Sequence, residues 1–534
     1  MKHAQAIPAT ATPDLPRQQR LVKALCAPGF LSRSPKFEET HISWVLLAGH
    51  NAYKIKKAVD LGFLDFSTLE LRRFFCSEEL RLNRRFAPGL YLEVIAIGGT
   101  PEQPVLGAEP AIEYAVHMRR FHRTAMLDRV LENGGLSPAH IDKLASVIAD
   151  FHAALPPAPA DSPLCALTAI QEAALHNFEA IPQLLSALDD LALLAAVHDA
   201  SAREFTSRLP QFRQRAVSGC VRECHGDLHL GNIVLLNEMP TPFDCIEFSA
   251  ALRWIDVISE ISFTVMDLLQ RNRPQLAWRL LNAYLELSGD YQGCGVLRFY
   301  LAYRAMVRAK IAAIRAGQRG FPKAKQELES CRSHLALAHD CLTRRRPALI
   351  ITHGLPGCGK STFAQIALER LGAIRIRSDV ERKRLYGLAP LADSKLQADA
   401  DIYSEDATRR TYARLLELAR GIIAAGFPVI VDAAFVLHAE RESFHSLAQD
   451  MDVPFVIASL QSDEAVLAQR LAQRISLRND ASEADISVMQ KLKIVAQPLK
   501  GEELTAAVVF VNNGDVDALR SDVEAWSSFD AHLT

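Results

Sequence analysis

The sequence predicts two domains of different class, an α+β domain followed by an α/β domain built on a parallel sheet. Three observations carry that expectation. Short strand-like apolar runs dominate residues 42–118, and helical periodicities follow them. A buried-strand run, Ala348-Leu349-Ile350-Ile351-Thr352, feeds a glycine-rich loop and then an amphipathic helix ending at Leu371. Beyond it, strand-like runs at 374–377, 428–432, 455–460 and 507–511 alternate with helices, the rhythm of a parallel sheet with crossover helices.

Composition sets the outer limits. A length of 534 residues, 49% hydrophobic and 23% charged, is that of an ordinary globular chain of several domains. A formal net charge of −2 argues against a general nucleic-acid binder. The ten cysteines are scattered, and Cys220 and Cys224 have no matching cluster to complete a zinc site. The N-terminus, MKHAQAIPATATPDLPRQQ, places proline and polar residues where a signal peptide needs an apolar core. No charge-free stretch reaches the ~18 apolar residues of a membrane span. A cytoplasmic location without membrane partners is expected.

Taken in order, residues 1–30 read as a leader, loose to about residue 20 and then a short helix near 21–27. Apolar runs at 42–47 and 52–57 flank a turn, Ala48-Gly49-His50-Asn51, and predict a β-hairpin. Alternation puts Lys54 and Lys56 on one face, and either can reach nucleotide phosphates; Lys57 faces the other way. Residues 67–86 predict a helix, capped by Ser67 with Glu70 completing a capping box. Its inward stripe reads as Leu71, Phe74, Phe75, Leu80 and Leu82. Glu79 lies on the same helix, and paired with a strand lysine it would hold that lysine on the phosphates. Residues 91–97 and 112–118 predict strands. Ser137 and Pro138 open a helix to Leu155 whose Ile141, Leu144, Ile148, Phe151 and Leu155 read as core.

Next comes His225-Gly226-Asp227-Leu228-His229-Leu230-Gly231-Asn232, followed by an apolar strand. A carboxylate and, five residues on, a carboxamide form the layout of a phosphoryl-transfer loop. Asp227 can accept the proton of an attacking hydroxyl, and Asn232 can hold a metal ion on the phosphates. Met239-Pro240-Thr241-Pro242 predicts a turn and 243–248 a second strand, returning Glu247 to Asn232.

HGDLHLGNIVLL resembles the catalytic loop of the aminoglycoside phosphotransferase and choline kinase family, a branch of the bilobal protein-kinase-like fold. The resemblance implies such a domain over 31–335. In it Asp227 would be the catalytic base, Asn232 a magnesium ligand, Lys54 or Lys56 the strand lysine and Glu79 its partner. EYAVHMRRF would be the hinge against adenine. Ile246-Glu247-Phe248 stands where the family has Ile-Asp-Phe or Ile-Asp-Trp, so Glu247 is the implied second metal ligand, with Asp244 the alternative. Thr40-His41-Ile42-Ser43 stands where the family's phosphate loop carries glycines.

A linker is expected at 336–347 and the second domain at 348–534. The run from Gly354 to Thr362 is Gly-x-x-x-x-Gly-Lys-Ser in strand–loop–helix context. Gly354, Gly357 and Gly359 let backbone N–H groups close on phosphates at a helix N-terminus. Lys360 reaches the β- and γ-phosphates, and Ser361, next to Thr362, binds magnesium. Asp432 ends an apolar strand, the usual place of a second carboxylate near the metal. Ser378-Asp379-Val380-Glu381-Arg382-Lys383 follows the second strand, at the sheet edge where ligands bind. This arrangement resembles small P-loop kinases of hydroxyls, namely polynucleotide 5′-kinase, gluconate kinase and the zeta-toxin type. By that resemblance Asp379 activates the acceptor hydroxyl and Arg382 steadies phosphates. Arg470, Arg474 and Arg478, four residues apart, look like lid arginines, with 481–493 as lid loop and helix.

The whole chain resembles bacterial fusions of an aminoglycoside phosphotransferase-like domain with a P-loop ATP-binding domain. That implies ATP and Mg2+ as cofactors, two nucleotide sites, and transfer of the γ-phosphate to a hydroxyl of a small-molecule acceptor. A regulatory ATP switch with a catalytically weak first domain is the alternative. A nucleic-acid 5′-hydroxyl kinase is a third reading, not favoured, because it needs a basic groove near Asp379.

Overall fold

By internal contacts the chain divides into two compact units, Met1–Ala169 with Arg215–Thr264, and Ile170–Gln214 with Val265–Thr534. The computed structural model describes all residues except 1–9, 12–13, 28–29, 32–35, 63, 160, 180, 183–184, 186–187, 319–322, 393–401, 478–480 and 534.

In the first unit, helix α1 (Asp14–Leu25) precedes β1 (Lys36–Glu39), β2 (Ser43–Ala48) and β3 (Asn51–Lys56). The expected hairpin is β2–β3, with Val45 opposite Lys54. Helix α2 (Leu69–Asn83) is followed by β4 (Tyr91–Gly99), β5 (Pro104–Leu106) and β6 (Glu113–Arg119). These strands form one sheet in the order β1-β2-β3-β6-β4-β5, and every neighbouring pair is antiparallel.

The helix expected near 21–27 starts earlier, at Asp14, and ends at Leu25. Leu21, Val22 and Leu25 recur at helical spacing and pack on Trp44, Leu46, Ile55 and Ala115. The Gln18 amide donates to the Lys56 carbonyl at 2.9 Å and to Glu113 at 2.6 Å, and accepts from the Ala58 N–H at 2.7 Å.

Helix α2 also departs from expectation. Its cap is Thr68, which accepts from the Leu71 N–H at 3.3 Å. Ser67 is held one residue earlier, its N–H bonded to Asp65 at 2.8 Å, so the Ser67–Glu70 capping box does not form. The inward face carries Arg72, Cys76, Glu79, Leu82 and Asn83, while Phe74 is 56% exposed. That polar inner face is paired rather than apolar: Arg72 donates to Glu113 at 3.0 Å.

Helix α3 (Pro138–Ala154) starts on Ser137 as predicted. Then come β7 (Val221–Glu223), β8 (Ile233–Leu236), β9 (Met239–Pro242) and β10 (Trp254–Asp256). The predicted turn at 239–242 is a strand. It pairs antiparallel with β8, Leu235 opposite Pro240 and Ile233 opposite Pro242. The reversal lies at Asn237 and Glu238, with φ of 49° and 62°, the conformation of a two-residue hairpin turn. Both prolines sit on the side of β9 away from β8, because the inward N–H that continues the ladder is that of Phe243, bonded to the Asn232 carbonyl at 2.9 Å. Residues 243–248 are therefore not a strand; Asp244 has φ 63° and turns the chain.

Helix α4 (Val257–Gln270) begins in the first unit, and α5 (Pro274–Ser288), α6 (Cys294–Gln318) and α7 (Lys323–Thr343) belong to the second. Residues 336–343, read as linker, are the end of α7. The second sheet comprises β11 (Leu349–His353), β12 (Ile374–Arg377), β13 (Val429–Asp432), β14 (Phe455–Gln461) and β15 (Ala507–Val511). All pairs are parallel, in the order β12-β13-β11-β14-β15. Helices α8 (Lys360–Leu371), α9 (Ser378–Leu385) and α10 (Glu405–Ala424) accompany them. The chain order reverses at β11, the switch point where such sheets bind ligands. Phe363, Phe510, Trp526 and Phe529 fill the core beside it.

The edge strand β12 is covered by α5. The Asn282 amide donates to the Ala373 carbonyl at 2.9 Å and accepts from the Arg375 N–H at 2.7 Å, as a neighbouring strand would. Among the described residues no helix is long and apolar enough to cross a membrane.

Candidate active sites

In the first unit, β3 delivers Lys54 and Lys56 to one carboxylate on α2. Lys54 Nζ lies 2.8 Å from Glu79 Oε1, and Lys56 Nζ lies 2.7 Å from Glu79 Oε2. Each lysine has a second acid: Lys54 donates to Asp244 at 2.5 Å, and Lys56 pairs with Glu247. The two pairs differ in exposure. The Lys56, Glu79 and Glu247 side chains are 1%, 0% and 5% exposed, whereas Asp244 is 43% exposed. Burial works against the charge on Glu79, yet Lys54 and Lys56 overcome it and hold this carboxyl down at about 2. Burial likewise opposes the charge on Lys54, but Asp244 and Glu79 raise it well above the usual lysine value.

Asp244 is fixed by its neighbours. Its N–H donates to the Tyr91 hydroxyl at 3.1 Å, and the next N–H, of Cys245, donates to Asn83 Oδ1 at 2.9 Å. Phe243, which precedes it, is bonded to Asn232. Asp244 thus follows directly on the Asn232 contact, while Glu247 is bound to Lys56.

The loop itself is clamped from behind. The Glu260 carboxylate accepts the His225 N–H at 2.5 Å and the Gly226 N–H at 3.0 Å. His225 Nε2 meets the Phe243 carbonyl at 2.8 Å, and burial keeps its imidazole below the ordinary histidine pKa, so it donates there as a neutral ring. The Asn232 amide donates to Asp227 Oδ2 at 2.9 Å and to its carbonyl at 3.0 Å. One amide therefore sets the carboxylate of the candidate base. The expected hinge, 113–121, is β6 and the residues just after it.

Asn83, Tyr91 and Glu260 were missed as site residues. For Glu260 a signal existed, since a carboxylate inside an apolar helix needs a partner. Asn232 and Asp244, the second of which follows the residue bonded to the Asn232 carbonyl, carry hard oxygens of the kind a magnesium ion takes.

In the second unit, β11 ends at the glycine loop. Gly354, Gly357 and Gly359 have φ of 140°, 87° and 95°, values side chains rarely adopt. A Cβ on Gly359 would overlap the Asn512 amide, which donates to the Cys358 carbonyl at 2.9 Å and closes the loop from the end of β15. Asn512 was not singled out from the sequence. Lys360 Nζ donates to the Gly354 and Leu355 carbonyls at 2.9 and 3.0 Å. The first N–H groups of α8, including those of Lys360, Ser361 and Thr362, have no intrahelical partner and favour an anion.

Asp432 ends β13, buried; burial raises its pKa, against the pull of Arg377, Arg375 and the nearby Ser361 side chain. Its Oδ2 makes no hydrogen bond. An orphaned carboxylate oxygen beside a serine hydroxyl fits a magnesium ligand set. Asp379 lies in the first turn of α9, just beyond β12.

The predicted phosphate-steadying arginines have other partners. Arg382 donates to the Ile402 carbonyl at 2.9 Å and to Thr408 at 3.2 Å, because α9 buries that side against the next segment. Arg470 donates to the Asn512 carbonyl at 2.9 Å and the Gly514 carbonyl at 2.5 Å, and Arg474 to the Ala484 carbonyl. Arg478 lies outside the described residues. The expected lid helix runs over Ile486–Val495.

Residues 110–297 match the Phosphotransferase enzyme family, and residues 349–499 match an AAA domain. Uncharacterized protein Rv2004c of Mycobacterium tuberculosis (strain ATCC 25618 / H37Rv) is 31% identical over 450 residues, covering 83% of this chain and 87% of that protein. The chain belongs to the Rv2004c family. Uncharacterized protein Mb2027c of Mycobacterium bovis (strain ATCC BAA-935 / AF2122/97) aligns with the same identity and coverage. Among solved structures, a choline/ethanolamine kinase family protein from Mesorhizobium loti is 14% identical, covering 60% of this chain and 98% of its own, at a TM-score of 0.35. A gluconokinase from Sinorhizobium meliloti 1021 is 20% identical, covering 35% and 94%, at a TM-score of 0.26. This member of the Rv2004c family thus joins a phosphotransferase-family domain to a P-loop domain, both of kinase type. Asp227, Asn232, Asp244 and Glu247 fall within the first match, and the run from Gly354 to Asp432 within the second.

Proposed function

We propose that the chain is an ATP-dependent phosphotransferase with two nucleotide sites, moving the γ-phosphate to a hydroxyl of a small acceptor. The observation that carries the reading is the glycine loop with Lys360, Ser361 and the orphaned Asp432 oxygen set around it. ATP with magnesium supplies the transferable phosphoryl group. Lys360, leaving the Gly354 and Leu355 carbonyls, neutralises phosphate charge, and Ser361 with Asp432 takes the metal. Asp379 orients the acceptor hydroxyl and receives its proton. In the first unit the same roles go to Lys54, to Asn232 with Asp244, and to Asp227. Exposure favours Lys54 and Asp244 there, and Lys56 with Glu247 braces Glu79. Ten free thiols support a cytoplasmic setting.

The test is transfer of labelled phosphate from ATP and magnesium into pools of small hydroxyl compounds. Lys360→Ala is expected to lose transfer by on the order of 10²-fold or more, the scale of one lost electrostatic group. Transfer that survives in Lys360→Ala and vanishes in Asp227→Ala would move the principal active centre to the first unit. Slow ATP hydrolysis with no labelled acceptor would replace the kinase reading with that of a regulatory switch.

A further inference from the structure

Strand β12 carries Arg375 and Arg377 on one face, since side chains alternate. Both end on a single carboxylate, that of Glu286 in α5. Arg375 Nη2 lies 2.9 Å from Glu286 Oε2, and Arg377 Nη1 lies 3.0 Å from Oε1. Glu286 is itself tethered, because Arg384 donates to its backbone carbonyl.

Across the sheet, Arg377 is in register with Asp432. Its Nε stands 3.7 Å from Asp432 Oδ2, too far for a hydrogen bond, and that oxygen makes none. A guanidinium–carboxylate bond forms at roughly 2.7–2.9 Å, so a shift of about an ångström would close the gap. The bond to Glu286 opposes that shift.

We propose that Glu286 is a positioning residue for the P-loop centre: it holds Arg377 away from Asp432 and so keeps the Asp432 oxygen open to nucleotide-bound magnesium. The inference rests on the P-loop reading above. It also links the two halves of the sequence. Glu286 lies within the residues matched to the Phosphotransferase enzyme family, and the oxygen it protects lies within the AAA-domain match.

The experiment is calorimetric titration of ADP, with and without Mg2+, on the full chain. In wild type, Mg2+ is expected to tighten ADP binding, and Lys360→Ala should abolish that site. E286Q should weaken Mg–ADP by about tenfold, an effect of roughly 1.4 kcal/mol, and leave metal-free ADP within about twofold. E286Q/R377Q should regain most of the lost affinity, because the competing cation is gone. A merely structural Glu286 would make the double variant as weak as the single or weaker, and that result overturns the proposal. So does an E286Q chain that binds Mg–ADP like wild type. If E286Q has no cooperative melt, E286D replaces it, and unchanged Mg–ADP binding there is equally decisive against. Should Lys360→Ala bind Mg–ADP normally, the P-loop reading fails first and this inference falls with it.

Discussion

Lys54 and Lys56 differ by two positions and by their surroundings. Lys56 is sealed between Glu79 and Glu247, while Lys54 opens toward the exposed Asp244. Removing Lys56 leaves two buried carboxylates short of a cation, a loss of about 3–5 kcal/mol. Lys56→Met is therefore expected to lower the urea midpoint of the first unit far more than Lys54→Met. Lys54→Met should instead weaken nucleotide binding there. Equal destabilisation by the two would contradict the division of labour. Alternation alone put both lysines on the face that meets Glu79. It could not choose between them, because the choice depends on the polar inner face of α2. Arg72, Glu79 and Asn83 are buried there by pairing, and a search for apolar periodicity passes over such a face.

Elements were legible in proportion to how local their causes are. Strand β12 and the end of α8 were read to the residue, since alternating isoleucines and a glycine stop mark them. The β8–β9 hairpin was misplaced by one element: prolines suggested a turn, but the left-handed pair Asn237–Glu238 makes it, and the prolines lie along the outer side of the second strand. The glycine loop is a case where sequence and structure agree for a stated reason. Asn512 closes on Gly359, so Gly359→Ala meets both a positive φ and an occupied space. Such backbone strain costs of order 1–3 kcal/mol. Gly359→Ala should lower the denaturation midpoint of the second unit accordingly and abolish ATP-analogue binding at that loop, whereas Gly421→Ala, in the last turn of α10 with nothing near its Cβ, should do neither.

For the whole molecule, the two sequence matches and the two compact units are cut in different places. Helix α5 lies within the phosphotransferase-family match, yet its contacts are with the P-loop sheet: Asn282 bonds the edge of β12, Glu286 holds Arg375 and Arg377, and Trp278 packs against Gly372. No motif announces this, because such cover comes from side chains far from the loop they protect. A fragment of residues 348–534 loses α5 and bares the β12 edge, so it is expected to aggregate at concentrations where the full chain stays monodisperse in light scattering. A fragment as well behaved as the full chain would show that the edge needs no cover. The Asn282 bridge also bears on ancestry. Two modules joined by a free tether can be traded between genes at the tether. Here a crossover at residue 348 would part β12 from its cover, so lineages should inherit α5 and the P-loop sheet together, with the tolerated breakpoint lying upstream of Pro274.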